Sequence, residues 1–201
     1  MEMERVFQPW IGANYQAGSE HNCRIMILGE SHYGKPTDAR LDFTNYIVGR
    51  YAITERRRFF SVIQRLVSLD TKRGTYSVAS KRAFWNSVVF CNYVQAIVGG
   101  KARQRPTAAM WDTGATVLLK VLKEVEPEVL VILGKELKKY LPTLPAGFEI
   151  AYIKHPSGRG MKYSECQPPI RAAIERAIAA RSVTDNPQHT IYHGDAQPQR
   201  S

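Results

Sequence analysis

The sequence predicts an α/β fold: a three-layer α/β/α sandwich around a central, mainly parallel sheet of four strands. Three observations predict it. Short apolar runs alternate with segments of helical periodicity in the order βαβαβαβα, without an internal repeat. Residues 129–133 are apolar at every position, as a strand covered on both faces should be. The length of 201 residues with 44% hydrophobic content suits one domain with a sizeable core.

Taken in order, residues 24–28 form a compact apolar run that ends at Gly29. Residues 54–69 place Phe59, Phe60, Ile63, Leu66 and Val67 at helical spacing, which leaves Arg56, Arg57 and Arg58 outside. Residues 87–91 are the second strand, followed by Asn92 and a loop rich in Gly, Lys and Arg up to Arg105. Pro106 and Thr107 precede a long helix over 108–125, which Glu126 and Pro127 close. After the third strand, 129–133, Gly134 turns the chain into a helix over 135–141, and Pro142 and Pro145 mark the next loop. A fourth strand, 149–153, runs into His155-Pro156-Ser157-Gly158, and 170–180 supply a last amphipathic helix. Residues 1–183 thus read as one domain and 184–201 as a polar tail, flexible unless docked.

The 28 Lys and Arg exceed the 18 Asp and Glu by ten charges. Twelve of those bases and only two acids fall within residues 50–105, so this segment carries the whole excess. Such a bias is either a hydrated face or a surface that binds a polyanion. Residues 1–10 hold two Glu and no apolar run, unlike a secretory leader. No stretch reaches the roughly 18 apolar residues of a membrane span. Cys23, Cys91 and Cys166 are far apart and odd in number, which fits neither a disulfide framework nor a metal site. The expected setting is the cytoplasm, with no metal and no cofactor.

In parallel sheets ligands bind beyond the carboxyl ends of the strands. Three of the four predicted ends carry polar residues: Glu30-Ser31-His32-Tyr33, Asn92, and His155-Pro156-Ser157. Each alone has an ordinary explanation, as a cap, a turn or a loop tie.

Their joint order resembles the uracil-DNA glycosylase superfamily, from about residue 23 to residue 181. Gly29-Glu30-Ser31-His32-Tyr33 looks like the superfamily's water-positioning loop. Its Gly-Glu start is closest to the iron-sulfur branch, and Tyr33 stands where the classical enzymes place a Tyr beside the pyrimidine C5. Phe43 falls at the position of the aromatic that stacks on the flipped base. Phe90-Cys91-Asn92 resembles the strand whose Asn reads the pyrimidine edge, and Arg105-Pro106-Thr107 resembles the stretch after that strand in the iron-sulfur branch. His155-Pro156-Ser157-Gly158 looks like the second catalytic motif, with Ser157, Arg159 and Met161 in the loop that meets the duplex.

Two departures bear on activity. The iron-sulfur branch holds its cluster with four cysteines, and three at unrelated positions imply no cluster. The classical enzymes have Asp where this chain has Ser31, and a Ser is no carboxylate base, so ordinary uracil excision is put in doubt.

Removing a base requires extruding its nucleotide into a pocket. Positive charge then grows on the sugar and negative charge on the departing base, which calls for an anion, a donor and a held water. The resemblance implies Glu30 as the anion, His155 as the donor to the base oxygen and Ser31 beside them in the catalytic group. It implies Asn92 as the reader of the base edge, an amide offering both donor and acceptor, with Phe43, Tyr33 and His32 as further base contacts. Arg56, Arg57, Arg58, Lys101, Arg103, Arg105, Ser157 and Arg159 would hold phosphates or fill the vacated stack. The expected function is a monofunctional DNA glycosylase acting on a modified cytosine or on uracil, in phage defence or base-excision repair. Its expected partner is DNA, duplex or single-stranded, met by a monomer away from membranes. The alternative is a glycosylase-fold module that binds nucleic acid without hydrolysis. A nucleotide-handling enzyme is weakly supported, since neither Gly29 nor Gly134 begins a phosphate-loop spacing.

Overall fold

The computed structural model describes residues 7–72, 74–100 and 104–184. At its centre lie β1 (Trp10–Ile11), β2 (Ile25–Gly29), β3 (Val88–Asn92), β4 (Val129–Leu133) and β5 (Glu149–Ile153), hydrogen-bonded in the order β1-β3-β2-β4-β5. The four expected strands are mutually parallel. The two-residue β1 adds an antiparallel edge, with Trp10 opposite Phe90.

Side chains alternate along each strand, so one sheet feeds two cores. Ile25, Ile27, Val88, Phe90, Val129, Val131 and Ile153 face a cluster shared with α2 (Arg58–Val67), α3 (Val78–Asn86) and α5 (Tyr163–Thr184). Met26, Leu28, Val89, Cys91, Leu130 and Ile132 face α4 (Ala108–Val125), which buries Trp111, Val117, Leu118, Val121, Leu122 and Val125 against them. Each such side chain contributes about 1.5–3 kcal/mol of transfer free energy. The result is the expected α/β/α sandwich.

Several helices differ from expectation. The helix expected at 54–69 spans only Arg58–Val67; a π-helical turn over Val48–Thr54, continuing α1 (Phe43–Ile47), precedes it, with an extended break at Glu55 and Arg57 between them. The expected helix at 135–141 is a single 3-10 turn, Leu137–Tyr140. Few residues separate Gly134, at φ 111°, from Pro142, and so short a segment does not repay helix nucleation. The last helix begins at Tyr163, seven residues earlier than expected, and holds Pro168 and Pro169 inside it. The hydrogen bonds lost there are offset by burial of Cys166, Ile170, Ala173, Ile174 and Ala177. Helix α3, capped by Ser77 accepting from the Ser80 amide at 3.1 Å, was not evident in the sequence. The expected polar tail lies, beyond Thr184, outside the described residues.

Candidate active site

The parallel ladder brings the carboxyl ends of β2 to β5 to one edge of the sheet. Gly29 pairs directly with Asn92. A Cβ at Gly29 would sit 2.1 Å from Asn92 Oδ1, so only glycine lets the Asn92 amide lie across the end of β2. Asn92 is 7% exposed, and its amide bonds none of the described residues. Beyond the strands the pairing continues between the two loops. Tyr93 N–H donates to Gly29 O (3.0 Å), Val94 N–H to Glu30 O (2.9 Å), Val98 N–H to His32 O (3.1 Å) and Gly34 N–H to Gly99 O (3.0 Å). Gln95 locks the second loop, donating to Asn92 O at 3.0 Å and accepting from Phe7 N–H at 3.1 Å.

The Glu30 side chain is 13% exposed. Arg105 Nη1 donates to both of its oxygens, at 3.2 and 3.3 Å, while Nη2 lies 3.9 Å from Glu136. Burial raises the Glu30 pKa above the usual carboxylate value, and the Arg105 cation limits that rise. Beside it the Ser31 hydroxyl is buried without a hydrogen-bond partner. Glu136 is a rim residue that sequence reasoning passed over. It follows Gly134 by two positions, and a strand-ending glycine followed by an acid, as at Gly29-Glu30, was the available signal.

At the end of β5, the His155 ring lies nearly flat on Phe59, with centroids 5.4 Å apart and planes at 26°. The Ser157 amide donates to His155 Nδ1 at 3.2 Å, which puts the ring proton on Nε2. Burial lowers the His155 pKa, so near neutral pH the ring is an uncharged Nε2–H donor. The turn is tight: Gly158 N–H donates to His155 O at 2.7 Å, and a Cβ on Gly158 would meet that oxygen at 2.9 Å. Gly134, ending the strand between β2 and β5, leaves the rim clear beside His155; its Cβ would lie 3.7 Å from that of His155. Phe59, read from sequence as a core residue alone, thus supports the ring of His155.

A strand ending in Gly-Glu beneath a paired Asn, with a His-Pro-Ser-Gly turn two strands away, is the arrangement the motif order implied. The sequence profile of the uracil DNA glycosylase superfamily matches residues 15–178, well over half of the chain. The chain belongs to this superfamily. No curated relative matches it. Superfamily members are DNA glycosylases, which gives the chain a glycosylase-like role in general and DNA as its partner.

The remaining expected contacts differ in exposure. His32 is 5% exposed, and its Nε2 lies 2.9 Å from Thr44 Oγ1. Its ring is held edge-on by Phe7 and Phe43, each 5.1 Å away. Phe43 is 4% exposed, packed with Phe7 and Ile97. Both rings are thus enclosed by their neighbours. Tyr33, by contrast, is 42% exposed. Arg56, Arg57 and Arg58 are exposed, as are Ser157 and Arg159, whereas Met161 packs on the core. Arg105 is paired with Glu30, and its side chain is 53% exposed. Lys101 and Arg103 lie outside the described residues. Cys23, Cys91 and Cys166 are buried and form no disulfide, and among the described residues no three His, Cys, Asp or Glu gather as metal ligands.

Proposed function

We propose that the chain is a monofunctional DNA glycosylase that extrudes a modified or deaminated pyrimidine and hydrolyses its N-glycosidic bond. The observation that carries this reading is the unpartnered Asn92 amide, laid across Gly29 and next to Glu30. An amide so placed offers a donor and an acceptor to one pyrimidine edge. Glu30 supplies the anion beside the sugar and orients the attacking water. His155, neutral and protonated on Nε2, donates to the base oxygen as charge arrives there in the transition state. Lys154, next to His155, is bound to Glu165 at 2.5 Å, which favours water over an amine as nucleophile. Ser31 in place of a carboxylate favours a nonstandard base such as a modified cytosine, and with it a role in phage defence. Exposed Tyr33 can swing clear of a C5 substituent.

The test uses single-stranded and duplex oligonucleotides carrying uracil, hypoxanthine, hydroxymethylcytosine or its glucosylated form, assayed for alkali-labile abasic sites. The parent is expected to leave such sites on at least one of them. Asn92→Ala, His155→Ala and Glu30→Gln should each slow single-turnover excision about a hundredfold or more. Tight binding with no abasic product on any substrate would instead support the binding module.

A further inference from the structure

Arginines and tyrosines alternate along an exposed ribbon between the first rim loop and α2. The Arg40 guanidinium lies 4.6 Å from the centre of the Tyr46 ring. Arg50 lies 5.7 Å from Tyr46 and 5.2 Å from Tyr51, and Arg57 lies 4.8 Å from Tyr51. Each arginine is also held at Nε by a carboxylate: Arg40 by Asp42 at 2.8 Å, Arg50 by Glu55 at 2.7 Å and Arg57 by Glu55 at 3.5 Å. The π-helical turn builds this register. Tyr46 and Tyr51 are five residues apart, as are Arg50 and Glu55, and five is the hydrogen-bond step of a π-helix. The ribbon joins the rim through Tyr46, which stacks on Phe43, which in turn packs on His32.

We infer that this ribbon seats the sugar-phosphate backbone of the strand flanking the extruded nucleotide, with Arg40, Arg50 and Arg57 meeting its phosphates. The inference rests on the glycosylase reading. Ring and carboxylate fix each guanidinium plane before any ligand arrives, so little rotamer freedom is lost on binding. The arginine side chains remain 47%, 50% and 61% exposed, leaving guanidinium edges of the kind that match phosphate oxygens. Bulk attraction does not account for the arrangement, because Asp42 and Glu55 neutralise most of the ribbon's charge. Orientation is what the rings and acids supply, and orientation is what the test must read.

Binding is measured by fluorescence anisotropy on labelled single-stranded and duplex oligonucleotides across a salt series, with thermal melts to verify folding. Arg50→Ala/Arg57→Ala should weaken single-strand binding about tenfold and flatten the log-log salt slope by about 1.4, or about 0.7 per phosphate lost. Tyr51→Leu and the double variant Arg50→Lys/Arg57→Lys keep every charge, yet should each weaken binding about fivefold through loss of the planar stack. Lys123→Ala/Arg171→Ala removes equal charge from α4 and α5 and should change affinity less than twofold. The inference is overturned if the charge-preserving variants bind like the parent, or if the α4/α5 pair loses as much as the ribbon pair. A parent that binds but excises nothing removes the catalytic reading and leaves this comparison intact. Normal excision with unchanged binding in the ribbon variants removes the ribbon alone, and a parent that binds no oligonucleotide removes both.

Discussion

At Gly29 a single missing methyl group decides where the Asn92 amide lies. Gly29→Ala would drive a Cβ into Asn92 Oδ1 and turn the amide away. The expected outcome is a large fall in excision rate with a stability loss of only about 1–3 kcal/mol, checked by single-turnover kinetics beside a urea melt. Arg105 acts on the same site through charge. In the proposed mechanism Glu30 acts as an anion, so the rate should fall as pH drops through its raised pKa. Arg105→Gln removes the neighbouring cation, and the acid limb of the pH–rate profile should then move to higher pH. His32 has a different effect. Burial lowers its pKa from 6.5 to about 4, so between those values the unfolded chain binds a proton that the folded chain refuses. Stability should therefore decline as pH falls from 6.5 towards 4, by up to about 3 kcal/mol, and His32→Gln should flatten that decline in denaturant midpoints. Glu30, Asn92 and His155 were legible in the sequence because each is polar where an apolar strand ends. The enclosed state of His32 and Phe43 was not, since it depends on Phe7 and Ile97, distant in the chain.

Among the elements, α4 was readable to the residue. Thr107 caps it by accepting from the Met110 amide at 3.4 Å, and Glu126, at φ 45°, and Pro127 end it. Its one glycine is not a concession to flexibility. A Cβ at Gly114 would lie 2.4 Å from the Tyr93 ring and 2.7 Å from Tyr93 O. Gly114→Ala, which ordinarily favours a helix by about 1 kcal/mol, should here destabilise the fold by about 1–3 kcal/mol in urea denaturation. Strands β2, β3 and β4 were equally clear, because burial on both faces leaves a run of apolar residues. Helix α5 was read short because prolines ordinarily mark a beginning, and tertiary burial overrode that preference. The π-helical turn escaped notice for a related reason: its period is neither 3.6 nor 2, so the Arg–Tyr ribbon has no signature in apolar spacing.

Over the whole molecule, the excess of ten positive charges confined to residues 50–105 is less free than the sequence suggests. Lys81 is 6% exposed and donates to Glu55 O at 3.1 Å. Arg65 donates to Gly74 O at 2.6 Å, and Arg105 is held by Glu30. Lys81→Ala should therefore cost about 1–3 kcal/mol of stability, read by thermal or urea melts, and leave the salt dependence of DNA binding unchanged. Composition announced the charge, but only the folded chain separates the bases that hold the protein from those turned outward. The four backbone hydrogen bonds between the Glu30 and Asn92 loops have a consequence of the same breadth. They tie the Glu30 and Asn92 loops into one unit, anchored at Phe7 through Gln95, whereas His155 stands on a separate turn. On the proposed reading, changing the Asn92 loop to admit a new base would shift Glu30 and its water with it. The independent adjustment lies across the sheet, at the His155 turn and its Phe59 support.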